Sequence, residues 1–283
     1  MRWTTYRRLQ VADLFCGRGG VGWAIADAPA PIDPHMHAGF DIQDYSDTYP
    51  GQFGQLDLLE ADREDLATSI ETSFPRTPGS LRVSNSEVEG PNLPPRRGFT
   101  ADVVWVSFTC TAYSSLSPTY YGSREAALEQ NPRITDEFRE FLLTLAPHYV
   151  IENVPMATQI GDLDANVRVN GLAFSHPDDP ADEKYDLTRH FETTFPCPDA
   201  YRAPRPDEEY VTIDTRDDQS CKALADAKGV PAEWGVQGVR SAIPNQYVNW
   251  VLHHCPSVPA RMPRRNQPVL VPEMDTTLGV VEA

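Results

Sequence analysis

Cys110 stands where an apolar run, residues 103–108, breaks into small hydroxylated residues, among them Thr109, Thr111, Ser114 and Ser115. A thiol there is either a nucleophile or a small core residue, since free cysteine is often buried and inert. A second run, residues 148–155, carries Glu152 and Asn153 inside otherwise apolar sequence. An acid so placed has a partner, is protonated, or serves a function; the plainer account is a carboxylate satisfied by backbone amides. A third group lies upstream, where Cys16-Gly-Arg-Gly-Gly20 follows an apolar stretch. Gly17, Gly19 and Gly22 satisfy GxGxxG, a pattern in which glycines permit a tight turn and let a ligand approach the backbone. Asp41 comes about two dozen residues later, the spacing of a carboxylate that accepts from a ribose hydroxyl. Asp57 could accept from an adenine amino group. An ordinary turn aspartate explains the first equally well, and a helix-start acid the second.

These groups need a scaffold, and the hydrophobic pattern supplies one. Residues 9–15, 36–42, 53–56, 103–108 and 148–155 read as strands, with 167–174 and 189–195 as a further strand pair. Helices are expected from residue 21 to 28, over 58–67, over 134–145 and within 239–254, the last with Pro244 near its first turn. Strands alternating with helices predict a parallel α/β sheet with functional groups just past the carboxyl ends of its strands. Residues 111–131 lack periodicity and read as a polar, aromatic-bearing loop able to close over a substrate. Residues 75–100 read as a surface loop in which Arg96 and Arg97 are solvated. Residues 196–237 form either a small lobe or a long loop, and the proline-rich stretch from Pro256 onward reads as a tail.

Composition narrows the class. The chain has 283 residues, enough for one large or two modest domains. No apolar run approaches a membrane span and no charged-then-apolar leader opens the sequence, so a cytoplasmic protein away from membranes is expected. The five cysteines are odd in number and include no CxxC pair, which suits a reduced compartment without a disulfide framework or zinc site. The formal net charge is −17, with three lysines against 21 arginines. One reading is an acidic protein that avoids nucleic acid. The other is adaptation to molar salt, as in a halophile, because acid is spread over the whole chain. Under that reading the acidity does not exclude a DNA substrate, since salt suppresses phosphate attraction in any case.

Taken in order, these motifs resemble the DNA cytosine-5 methyltransferases, most closely their small prokaryotic and phage forms. Asp13-Leu-Phe-Cys-Gly-Arg-Gly-Gly20 looks like that family's S-adenosylmethionine loop. Gly39-Phe-Asp-Ile42 and Leu56-Asp-Leu58 look like its ribose and adenine contacts. Ser107-Phe-Thr-Cys110 stands where the family carries its nucleophile, with Phe108 and Thr109 in place of two prolines and Thr111 in place of a glutamine. Glu152-Asn-Val154 matches the Glu-Asn-Val motif. Arg189-His-Phe-Glu192 resembles part of the strand that brings an arginine to the target base, and Ala242-Ile-Pro-Asn-Gln-Tyr247 resembles the segment that returns to the cofactor pocket.

The resemblance implies an S-adenosylmethionine-dependent, Rossmann-like α/β fold with helices on both faces of the sheet and a small irregular lobe. It divides the chain into a catalytic cofactor-binding domain (1–175), a small lobe or reduced target-recognition region (176–237), a return segment (238–255) and a tail (256–283). It assigns Phe15, Gly17, Gly19, Asp41, Asp57 and Asn245 to the cofactor, and Cys110, Glu152 and Arg189 to catalysis on a cytosine flipped from DNA. It further implies a monomer, with a restriction endonuclease as a possible partner. Three other readings stay open. One is a methyltransferase-like protein that binds DNA or cofactor without turnover. Another keeps the chemistry but acts on RNA. The third is a nicotinamide-dependent oxidoreductase, which rests on GxGxxG alone.

Overall fold

The computed structural model describes residues 9–27, 36–74, 101–176, 178–181, 184–211 and 218–256. The expected loop with Arg96 and Arg97, and the expected tail past residue 256, lie outside the described residues.

Runs of apolar residues become strands of one sheet. They are β1 (Gln10–Leu14), β2 (Met36–Asp41), β3 (Gln52–Gln55), β4 (Val103–Ser107), β5 (His148–Asn153), β6 (Val167–Asn170) and β7 (Thr188–Thr193). Their order is β3-β2-β1-β4-β5-β7-β6. The first five are parallel, while β7 runs antiparallel to both β5 and β6. Val103, Val104, Trp105 and Val106 are all fully buried, as expected of a central parallel strand covered on both faces. The chain winds outward from β1 to β3, then returns to β4 on the other side of β1. That reversal opens a crevice between the carboxyl ends of β1 and β4.

Helices cover both faces, so the architecture is the expected Rossmann-like α/β fold. On one face α1 (Gly20–Ala26) and α9 (Asn245–His253) pack Val21, Ile25, Tyr247, Val248 and Val251 against Val11, Trp105, Val150 and Phe191. On the other, α2 (Arg63–Ser73), α5 (Asp136–Leu145) and α6 (Pro155–Ile160) pack Leu66, Ile70, Leu142 and Ala157 against Leu14, Val104 and Ile151. A third, smaller core lies between α7 (Asp218–Lys228) and α8 (Gly235–Ser241). Trp234 meets Trp23 of α1 there, with ring centroids 6.2 Å apart.

Three expectations need correction. The helix expected over 58–67 begins at Arg63, because the Asp62 carboxylate accepts from the Asp65 amide and caps it there. The loop expected over 111–131 contains two short helices, α3 (Ser117–Tyr121) and α4 (Arg124–Gln130). Gly122, at φ 81°, ends the first, and the Ser123 hydroxyl caps the second. The strand expected over 167–174 stops at Asn170, whose side chain accepts from Leu172 N and turns the chain into a 3-10 helix at Gly171–Phe174. The helix expected within 239–254 is α9, with Pro244 at its start as expected, and the end of α8 precedes it.

Within 196–237 the polypeptide is irregular up to residue 211, then helical in α7 and α8. The irregular part is held by Glu208. Its carboxylate takes two hydrogen bonds from Arg202 (2.6 and 2.8 Å) and one from the Arg205 amide (3.1 Å), and the Lys184 ammonium lies 3.6 Å away. The Arg202 bonds, helped by Lys184, hold the Glu208 pKa down at about 2. A depressed carboxylate stabilises the fold fully above its unfolded value and loses that contribution as pH falls through the folded one. Glu208→Gln is therefore expected to destabilise the protein in urea titrations at pH 7, with the gap to wild type closing as pH falls below about 4.5. A gap unchanged with pH would place this stabilisation elsewhere.

Candidate active site

All five parallel strands end at one edge, so the groups that follow them gather there. Because β7 is reversed, its amino-terminal residues reach the same edge. Asn153 pairs with His190 across the β5–β7 ladder, which puts Arg189 beside the end of β5. Glu152 lies level with Ser107 of β4, three residues before Cys110.

The centre of this edge is an ion pair. Arg189 Nε lies 2.8 Å from Glu152 Oε1, and both side chains are largely buried. Burial raises the Glu152 pKa above the ordinary glutamate value, while Arg189 and, less strongly, Lys228 oppose the rise. Removing one member of such a pair leaves an uncompensated buried charge, at a cost of about 3–5 kcal/mol. Cys110 is exposed, in contrast to the buried Cys16, Cys197, Cys221 and Cys255. Protein packed around its sulfur still pushes the thiol pKa up, the Arg189 guanidinium draws it down, and Glu152 raises it. Thiol, carboxyl and guanidinium thus act on one another at one place.

The turn that carries Cys110 is held without proline. Phe108 is buried and packs on Phe15 and Phe138, with ring centroids at 5.1 and 5.4 Å. Asn153 Nδ2 donates to the Phe108 carbonyl at 3.0 Å. The Thr109 and Thr111 hydroxyls bond each other at 3.0 Å and bridge across the cysteine. Beyond it, Tyr113 N and Ser114 N both donate to the Cys110 carbonyl (3.0 and 2.8 Å). Arg124 Nη1 donates to the carbonyls of Ala112 and Ser114 at 2.7 Å each.

The glycine turn occupies the neighbouring part of the edge. Phe15 has φ 54°, a strained value for a bulky residue and the only positive φ outside glycine among the described residues. Gly17, at φ 53°, has open space where a Cβ would stand. Its amide donates to Asp41 Oδ2 at 2.9 Å, and Gln43 N donates to Oδ1 at 3.0 Å. Gly19 and Gly22 have another reason to be glycine. A Cβ on either would lie 2.7 Å from the Tyr49 ring, and one on Gly39 would lie 2.3 Å from it. Two glycines of GxGxxG are thereby explained by one buried aromatic ring, without a dinucleotide. Beneath them Asp13 is fully buried, 3.4 Å from the Tyr49 hydroxyl, and burial raises its pKa well above the usual carboxylate value.

Asp57 follows β3 next to Asp41 at the end of β2, and its Oδ1 accepts from Leu59 N at 3.1 Å. Asn245 opens α9; its Nδ2 donates to the Gly229 carbonyl, while its Oδ1 is buried with no hydrogen-bond partner. The residues singled out in sequence therefore form two groups on one edge. Phe15, Gly17, Gly19, Asp41 and Asp57 follow β1 to β3, and Cys110, Glu152 and Arg189 lie at β4, β5 and β7. The segment leading to Asn245 approaches the first group at Ile243, whose backbone N is 3.0 Å from where a Cβ on Gly20 would be. Sequence reasoning passed over Tyr49 and Lys228. Nothing in the local pattern marks Tyr49. Nor does the local pattern mark Lys228, one of only three lysines, whose complete burial shows only in the folded chain. Among the described residues, no group of three His, Cys, Asp or Glu side chains is placed to hold a metal ion. No described helix is long and apolar enough to cross a membrane.

No protein-family model and no curated protein matches the chain. Solved structures do. The Entamoeba histolytica methyltransferase EhMeth is 10% identical, with 88% of this chain and 98% of that one covered at a TM-score of 0.48. The S. pombe Dnmt2 methyltransferase is 11% identical, with 87% and 97% covered at 0.46. A putative DNA modification methyltransferase encoded within an E. coli prophage is 16% identical, with 72% and 53% covered at 0.36.

The arrangement makes a test of the thiol independent of any activity. A limiting thiol-alkylating reagent is expected to label Cys110 first, as read by peptide mass spectrometry. Arg189→Met should slow that labelling at pH 8 by raising the thiol pKa, and Glu152→Gln should speed it. Equal labelling of all five cysteines would show that Cys110 is not the accessible thiol.

Proposed function

We propose that this protein is an S-adenosylmethionine-dependent cytosine-5 methyltransferase acting on DNA, with Cys110 as its nucleophile. The observation that carries the reading is the convergence of Cys110, the raised Glu152 and the Arg189 guanidinium on one sheet edge, next to the glycine turn. A binding-only protein would have no need of that combination.

Carbon 5 of cytosine is too weak a nucleophile to be alkylated directly. Thiolate addition from Cys110 to carbon 6 turns the ring into an enamine. Arg189 favours the thiolate and binds the base carbonyl oxygen. Glu152, whose pKa burial raises, hydrogen-bonds ring nitrogen 3 and stabilises the adduct. Loss of the carbon 5 proton to a base then expels Cys110. S-adenosylmethionine, when bound, supplies the methyl group. Phe15, Gly17, Gly19, Asp41, Asp57 and Asn245 would hold it. The open approach at Gly17 and the unpartnered, buried Asn245 Oδ1 fit a ligand that brings a hydrogen-bond donor. A cytosine must leave its stack to reach Cys110, and Leu116 and Tyr120 stand exposed on the segment after it as apolar surface for the strand.

Purified protein in molar KCl, the condition that its acidic composition suggests, is expected to transfer labelled methyl to cytosine-containing duplex DNA. Cys110→Ala should abolish transfer and leave cofactor binding intact. A covalent complex with 5-fluorocytosine DNA should form in wild type alone. Transfer by Cys110→Ala at the wild-type rate would sink the assignment, and transfer to RNA but not DNA would move the substrate. The hydroxyl bridge predicts a finer effect. Thr109→Val with Thr111→Val should lower kcat about tenfold or more, with the cofactor KM unchanged, because the thiol loses its aim.

A further inference from the structure

Lys228 ends α7 and is completely buried. Its Nζ donates to three main-chain carbonyls, those of Val239 (2.8 Å), Arg240 (3.1 Å) and Ala242 (2.8 Å). All three lie at the end of α8 or in the turn to α9, where helix carbonyls lack partners of their own. An ammonium has three N–H groups radiating from one atom, and each is used. Arginine would present a planar fork instead, so this position asks for lysine. The next residue completes the grip. The Gly229 carbonyl accepts from Asn245 Nδ2, on the far side of the same turn.

That turn in its own right presses on the glycine turn. A Cβ on Gly20 would lie 3.0 Å from Ile243 N, and one on Gly238 would lie 2.7 Å from Arg18 Cδ. The loop expected to hold the cofactor therefore rests against backbone that Lys228 and Gly229 hold in place. Lys228 also lowers the Glu152 pKa through its charge, and it is itself drawn down to about 7 by burial and by Arg189 and Arg240. It stands between the two groups of the candidate site while belonging to neither.

We infer that Lys228 is a positioning residue: its ammonium fixes the α8–α9 turn and so sets the shape of the cofactor side of the site. This rests on the methyltransferase reading. It predicts an effect on cofactor affinity that exceeds any effect on the chemical step.

The probe is S-adenosylhomocysteine, bound to the full chain and followed by calorimetry, with melting temperature measured alongside. Lys228→Met is expected to weaken binding at least about tenfold, a loss of roughly 1.4 kcal/mol, while kcat at saturating S-adenosylmethionine stays within about threefold. Lys184→Met is the control, because it removes the other buried lysine, which lies by Glu208. It should lower the melting temperature and leave affinity within about twofold. Lys228→Arg keeps the buried charge and serves if the methionine variant does not fold; it too should bind more weakly. Wild-type affinity in the folded Lys228 variants overturns the inference. So does a loss of affinity in Lys184→Met that tracks its melting temperature, since general loosening would then suffice. No binding by the wild type overturns the methyltransferase reading, and this inference with it.

Discussion

A carboxylate and a guanidinium buried side by side at the edge of a sheet constrain everything around them. Neither Glu152 nor Arg189 can be buried alone without a large desolvation cost. Their pairing at 2.8 Å requires that the start of one strand lie beside the end of another. A parallel neighbour of β5 would present its carboxyl end there instead. The reversed β7 is therefore what allows an arginine near the beginning of a strand to meet a glutamate near the end of one. Alternation along β7 turns His190 and Glu192 to the opposite side, where Glu192 binds Arg139 through two hydrogen bonds and accepts from Tyr149. One strand thus serves the candidate site on one face and an ionic anchor for α5 on the other.

The buried strands were legible in the sequence because each is a short apolar run bounded by polar residues, and a central parallel strand needs nothing more. The candidate residues stood out for the opposite reason. Glu152 is a polar interruption where the pattern asks for an apolar side chain, Cys110 stands just past the end of an apolar run, and Asp41 closes a strand that the pattern also ends. What could not be read was set by contacts distant in sequence or by single caps. Asp62 rather than Leu58 decides where α2 begins. Ser123 makes a helix of a stretch without apolar periodicity. Gly19 and Gly22 read as ligand glycines, yet the ring that needs their space belongs to Tyr49, whose position depends on the folded chain.

The Cys110 turn illustrates how one mechanical requirement can be met by different means. A proline pair stiffens a backbone covalently by fixing φ. Here Phe108 is wedged between Phe15 and Phe138, its carbonyl is tied to Asn153, and two threonine hydroxyls meet across the thiol. These restraints are noncovalent and shared among β1, β4, β5 and α5. The direction of the thiol therefore depends on the packing of the whole edge. The strained Phe15 backbone belongs to the same arrangement, since its ring is one wall of the wedge.

The scarcity of lysine has a practical side. Of the three, Lys184 and Lys228 are buried, the first in an ion pair with Glu208 and the second hydrogen-bonded to three carbonyls, and Lys222 alone is exposed. Apart from the chain's amino terminus, an amine-directed dye or surface linker therefore has a single address. That address lies on α7, less than two helical turns from the lysine that grips the α8–α9 turn. A fluorophore attached there would sit on the helix that connects the periphery to both groups of the candidate site, and all copies immobilised through it would face the same way.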